Sequence, residues 1–420
     1  MEKTLHYIWK HKLFAEDDFL TAEGKDVYVI DPGLANTDAG PDFFNAKVKI
    51  GETVWVGNVE LHVKASDWVA HGHQSDKMYN NVVLHVVRYD DAAVCNANDE
   101  TVVQAVMNVP PKVEDNIEWL LSRDTPVACA AHIFKVSAVE TSAWLTALLI
   151  ERLERKTGDV NLRLEQNAKD WNETFYITLM RSFGFGTNSD ICERLAKSLP
   201  LKYILKHRNS SLQTEALLFG QAGLTEENPD DDYCVALKRE YDFLSKKYGL
   251  RSVEGFLFRN LRTRPSNFPH VRLAQAAAVW VNKDLLFSKA IEADNLDDLR
   301  LFFDVEPSEY WLTHYNFRAV SVEKKKSLGK SATDIILINT VIPMLFAYGK
   351  CRNMPELCGK ALRFLEELPA EKNAIVSLFG RSGVKVRNAG DSQALIQLRK
   401  EYCDRKRCLD CRIGYKVISN

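Results

Sequence analysis

Gly40-Pro41-Asp42-Phe43 and, a hairpin's length later, Gly57-Asn58-Val59-Glu60-Leu61-His62-Val63-Lys64 decide the reading of this chain. Side chains alternate faces along a strand, so Glu60, His62 and Lys64 share one face while Val59, Leu61 and Val63 point the other way. An apolar face suited to a core therefore carries a row of polar groups on its back. Asp42, at the end of the preceding element, is placed to approach Glu60, and two carboxylates so placed can hold one hard divalent cation. Phosphodiester cleavage needs such a cation together with a basic or cationic group that orients water. Asp42, Glu60, His62 and Lys64 form the candidate catalytic set, with Asp42 and Glu60 as metal ligands.

Four of the ten histidines, His62, His71, His73 and His85, fall in one short stretch that also holds Asp67 and Asp76. Clustered imidazole and carboxylate groups on a β scaffold point to metal or acid–base chemistry. His71-Gly72-His73 follows Trp68 in an expected loop, where the pair is placed to meet substrate. His85 lies within the apolar run 82–87 and reads either as a hydrogen-bonded core histidine or as a ligand.

The hydrophobic pattern divides the chain. Short alternating or apolar runs at 27–30, 46–50, 53–56, 59–64, 82–87 and 102–106 predict strands, punctuated by Asp31-Pro32-Gly33 and Gly51-Glu52. Helices are expected at 6–14 and from Pro111 onward. Residues 1–125 therefore predict an α/β domain with a mixed or β-rich sheet. Beyond residue 137 the period lengthens, with helices expected at 143–153, 171–185, 234–248, 271–281, 328–348, 355–368 and 392–402. Residues 126–420 predict a mostly α-helical domain with a C-terminal cysteine cluster.

Two features of that second part carry chemistry. Arg262, Arg264 and Arg272 surround a Pro-bounded turn that opens a helix, either a seat for nucleic-acid phosphates or a capped turn whose arginines pair with carboxylates. Cys403-x4-Cys408-x2-Cys411 holds a C-x2-C turn, half of many zinc or iron–sulfur sites, and Cys351-x6-Cys358 could supply the remaining ligands.

Over 420 residues the formal net charge is −2, which argues against nonspecific coating of nucleic acid. It leaves local concentrations of positive charge, at 323–330 and 399–412. Nine scattered cysteines, with no apolar leader at the start, fit reduced thiols and a cytoplasmic location. The apolar stretch 335–348, interrupted by Asn339 and Pro343, reads as too short to span a bilayer, so no membrane partner is expected.

The Pro41-Asp42 and Glu60-x-His62 segments resemble the PD-(D/E)xK nuclease superfamily. The resemblance implies a restriction-endonuclease-like mixed sheet, Mg²⁺ or Mn²⁺ on Asp42 and Glu60, and nucleic acid as the partner. His62 stands where that superfamily has lysine, and Lys64 lies one pleat further on. Residues 40–43, 59–62, 66–73, 80–87, 264–273 and 402–414 together resemble an uncharacterised bacterial domain-of-unknown-function family, which implies no activity. Three readings stay open: a metal-dependent nuclease, a catalytically inactive nuclease-like module that binds nucleic acid or a protein, and a His-cluster metal hydrolase of small molecules.

Overall fold

The computed structural model describes residues 2–228, 230–260, 263–284 and 286–419. They form two compact units, one of residues 1–141 with 399–420 and one of residues 142–398. The division expected at 125 thus falls at 141, within the first turn of the long helix Ala138–Gln166. Residues 399–420, expected with the helical part, belong to the first unit.

The first unit is built on a mixed six-stranded sheet. Helix α1 (Glu2–Lys10) precedes strands β1 (Val27–Asp31), β2 (Leu34–Ala35), β3 (Phe43–Ile50), β4 (Thr53–Lys64), β5 (Val82–Tyr89) and β6 (Gln104–Val106). The order is β1-β3-β4-β5-β6, with β2 on β3. The β1–β3 and β3–β4 pairs are antiparallel, and β4–β5 and β5–β6 are parallel. Ile50 faces Thr53 across a two-residue turn in which Gly51 takes φ +58°, the left-handed conformation such tight hairpins use. The parallel step from β4 to β5 needs a crossover, supplied by α2 (Asp67–Ala70) and two short 3₁₀ turns, His73–Ser75 and Lys77–Asn81.

Residues 53–56 and 59–64, read as separate strands, form one twelve-residue strand. Gly57 does not break it. A Cβ there would stand 2.3 Å from Val83 Cγ1, so the glycine lets β5 approach closely, and the register shifts at the next residue pair. Val59, Leu61, Leu84 and Val86 then pack into one core with Ile8 and Trp9 of α1, Ile117 and Leu120 of α3 (Pro111–Ser122), and Ile418 of the C-terminal helix Arg412–Ser419. Each fully buried Val or Leu contributes roughly 1.5 to 3 kcal/mol. That burial pins the register and so fixes which side chains stand on the opposite face.

The second unit is helical. Asp170, Ser210, Asp231, Asn373 and Asn388 each cap a helix through a side-chain oxygen that accepts a backbone N–H. Such caps stabilise a helix by about 1 kcal/mol each. Helix Pro269–Asn282 is buried along nearly its whole length. Residues Lys330–Cys351 form a 22-residue helical stretch that is long and apolar enough to cross a bilayer, and 78% of its apolar window is buried in the unit. The stretch is longer than its apolar run because Asn339 and Pro343 do not end it. The π turn Leu337–Val341 takes up the missing N–H and the ring of Pro343, placed just after it.

Candidate functional site

Strand β4 presents Glu60 and His62 side by side on the face turned away from the apolar core, and both are buried, at 5% and 1% exposure. Asp42, immediately before β3, interlocks with Glu60. The Asp42 N–H donates to Glu60 Oε2 at 3.0 Å, and the Leu61 N–H donates to Asp42 Oδ2 at 2.9 Å. His6 of α1 completes this corner, its Nε2 3.1 Å from Asp42 Oδ2.

The crossover brings two more imidazoles. Gly72, at φ +80°, reverses the chain between His71 and His73. His71 Nδ1 lies 3.0 Å from His62 Nε2, and His73 Nε2 lies 3.2 Å from Glu60 Oε1. His62 Nε2 is 3.6 Å from the same carboxylate oxygen. Among the described residues, one nitrogen each from His62, His71 and His73 falls within a common 4.8 Å, a spacing that can surround one ion. His85, on β5, is fully buried, and its Nε2 lies 2.9 Å from His62 Nδ1. A bare Nε2 on His62 requires the proton on Nδ1, donated to His85, and such outer partners fix the tautomer of a metal ligand. The ring of Tyr79 stacks on His73 with centroids 3.8 Å apart.

The electrostatics suit ligands more than surface groups. Burial, with repulsion from His85, His73 and His71, holds His62 down to about 3, and burial then His73 does the same to His85. Both are neutral, the form that binds metal. Burial raises Glu60, Asp42 adds to the rise, and the hydrogen bond from His73 opposes it. Burial works against charge on His6, but the Asp42 carboxylate outweighs it and the pKa is raised. Burial and then the carboxylates Glu60, Asp42 and Asp76 push the Tyr79 hydroxyl up to about 12.

An open groove of about 970 Å³ adjoins the corner. Asp42 and His6 line it with Lys3, Lys10, Lys406 and Arg412, so a carboxylate of the site opens onto a mostly basic surface.

The structure therefore brings together Asp42, Glu60, His62, His71 and His73. It does not bring Lys64 to them. Lys64 is exposed, its N–H bonds Asp67, and its charge acts on Asp91. The reason is that β4 ends there, so one pleat further on is already outside the cluster. Arg272, expected to grip phosphate, is buried: it donates to Gln275 at 2.8 Å and Asn267 at 2.6 Å, and stacks over Phe185. Its helix starts on buried Pro269, His270 and Val271, which closes the expected phosphate seat. Arg264 is exposed at the preceding turn, and Arg262 lies outside the described residues. Cys351 and Cys358 belong to the helical unit and donate to Asn161 and to the Phe346 carbonyl, whereas Cys403, Cys408 and Cys411 belong to the first unit. Sequence reading missed His6, whose only signal is its place one helical turn ahead of buried Trp9.

The profile of a family described as proteins of unknown function, DUF2851, matches residues 2–374. The chain belongs to this family. The DUF2851 match takes in every residue of the His–carboxylate centre and ends before Cys403. No curated protein and no solved structure matches the chain.

Proposed function

We propose that this DUF2851 protein is a divalent-metal-dependent nuclease that hydrolyses phosphodiester bonds at the centre formed by Asp42, Glu60 and the histidines. The observation that carries the reading is the interlocked pair Asp42, just before β3, and Glu60 on β4, with the imidazoles of His62, His71 and His73 beside it. The basic groove at Asp42 supports a polyanionic substrate.

The residues fit a cation. Glu60 is a buried carboxylate facing two imidazoles, and His62 is neutral for reasons of burial. Glu60, His62, His71 and His73 would hold the ion, with Asp42 next to it. Of the two ions expected, this donor set suits Mn²⁺ better than Mg²⁺, because imidazole is a ligand for transition metals while Mg²⁺ prefers oxygens and retained waters. Bound there, a cation would lower the pKa of water and offset charge developing on the phosphate. The chain's own groups do the rest. The reciprocal backbone bonds orient the two carboxylates, and His85 orients His62. With Lys64 turned away, His6, whose pKa the Asp42 carboxylate raises, is the candidate proton donor beside that carboxylate, available to a leaving oxygen.

The test is cleavage of single- and double-stranded DNA and RNA by purified protein with Mn²⁺. Chelator should abolish cleavage, and Glu60→Gln should lower it by about 10² to 10⁴-fold with the fold intact. Absence of cleavage across the panel, with nucleic acid still bound without metal, would favour a noncatalytic binding module. The three-histidine set also suits a small-molecule metal hydrolase, which would show turnover of small esters or amides and indifference to charge in the groove.

A further inference from the structure

The first unit carries a second group of ligating side chains, made from segments far apart in sequence. Cys408 and Cys411 sit on one tight turn, closed by the Cys411 N–H donating to the Cys408 carbonyl at 3.2 Å. Gly414 packs against the same carbonyl: a Cβ there would lie 2.1 Å from the oxygen, so only glycine lets the following helix fold back on the turn. Cys403 closes the preceding helical turn, and its carbonyl accepts the N–H of Lys406, which adopts φ +52° as the chain reverses. The fourth thiol comes from Cys129, which precedes the 3₁₀ turn Ala130–Lys135 packed against the C-terminal helix. Cys129 and Cys408 border the same apolar core. Burial pushes the Cys129, Cys403 and Cys408 thiols up, and the other thiols of the group add to the rise: Cys411, Cys403 and Cys408 for Cys129, Cys411 and Cys408 for Cys403, and Cys411 for Cys408. Among the described residues these sulfurs are not drawn within 4.8 Å of one another as the imidazole nitrogens of the other centre are, a spacing too wide for one ion and open to a cluster.

We propose that Cys129, Cys403, Cys408 and Cys411 form a four-thiolate centre for an iron–sulfur cluster that fastens the C-terminal segment to the turn behind Cys129. A redox pair would need two thiols, and a packing role would need none to converge. Four from three segments match the ligand number of a closed structural metal site. The site is separate from the His–carboxylate centre and stands whether or not that centre is a nuclease. Its structural consequence falls on the groove, because Lys406, Cys411 and Arg412 form part of the groove wall.

The experiment is metal and sulfide analysis of full-length protein purified anaerobically without chelator, in a His62→Ala background so that the other centre does not contribute. The expected result is several equivalents of iron with matching acid-labile sulfide and absorption near 400 nm. Cys129→Ser should lower the content at least tenfold, while Cys351→Ser should leave it unchanged. Should Cys129→Ser fail to fold, mercurial titration of the parent protein decides: release of the metal in step with modification of about four thiols supports the centre. Absence of iron and sulfide, zinc in their place, or iron content unaffected by Cys129→Ser overturns it.

Discussion

The crossover face of β4 and the core of the helical unit both bury polar groups, and they use them in opposite ways. Around Glu215 and Gln221 in the helical unit the valences are spent internally. Glu215, 2% exposed, accepts from Trp311 at 2.8 Å and Tyr233 at 3.0 Å, and Gln221, fully buried, donates to Arg251 and Ser198 and accepts from Tyr241. Around β4, two carboxylates and four imidazoles crowd together: burial and then Asp42 raise Glu60, and burial, then His85, His73 and His71, holds His62 neutral. Buried polar groups that satisfy each other serve the fold. Buried groups that converge with valence to spare are held by the rest of the fold for chemistry.

Substitutions should separate the two regions. Glu60→Gln should cost two to four decades of cleavage, about 3 to 5 kcal/mol in activation free energy, with little change in thermal unfolding. Equal losses of activity and stability would erase the distinction. Glu215→Ala should do the reverse, destabilising by about 2 to 4 kcal/mol because the Trp311 and Tyr233 donors are left buried and unpaired, while cleavage per folded molecule stays constant. Denaturant titration alongside a single-turnover assay reads both quantities.

Acid should find the same boundary. His62 and His85 are depressed to about 3, so between there and about 6.5 the unfolded chain binds protons that the native one does not. Their contribution is full above about 6.5 and is lost as pH falls toward 3, with a slope of roughly 1 to 2 kcal/mol per pH unit. Glu60, raised by burial, works in the other direction nearer the carboxylate range. Metal-free protein titrated with denaturant across pH 6.5 to 4 should show this slope, and His85→Phe should reduce it. An unchanged slope would mean that the imidazoles are not buried neutral. Smallest of all, Lys64→Ala should alter cleavage by less than about twofold, since its charge faces Asp91; a large loss would return Lys64 to the site.

Much of the fold was legible because burial and periodicity coincide. Val27 and Val29 alternate as buried strand residues must, the apolar run 84–87 is buried on both faces, and Trp171 to Phe183 forms the expected helix with Asp170 as cap. Gly57 misled, since a glycine that permits close approach looks in sequence like one that breaks a strand. Asp42, Glu60 and His62 were legible from local spacing. His6 and Cys129 were not, because each reaches its partners through tertiary packing that leaves no local pattern. Arg272 erred the other way: three arginines about a turn look like a phosphate seat until the helix they open is found buried.

The most direct measurement is a Mn²⁺ titration of the wild-type protein and of His71→Ala, following bound ion by electron paramagnetic resonance and cleavage in the same samples. His71 is the exposed member of the cluster, so its removal should leave the fold intact. The account expects cleavage to rise in proportion to occupancy of a site that uses His62, His71, His73 and Glu60, and both to weaken at least tenfold in His71→Ala. Cleavage that saturates without ion bound at this cluster, or that is indifferent to the loss of His71, would contradict it.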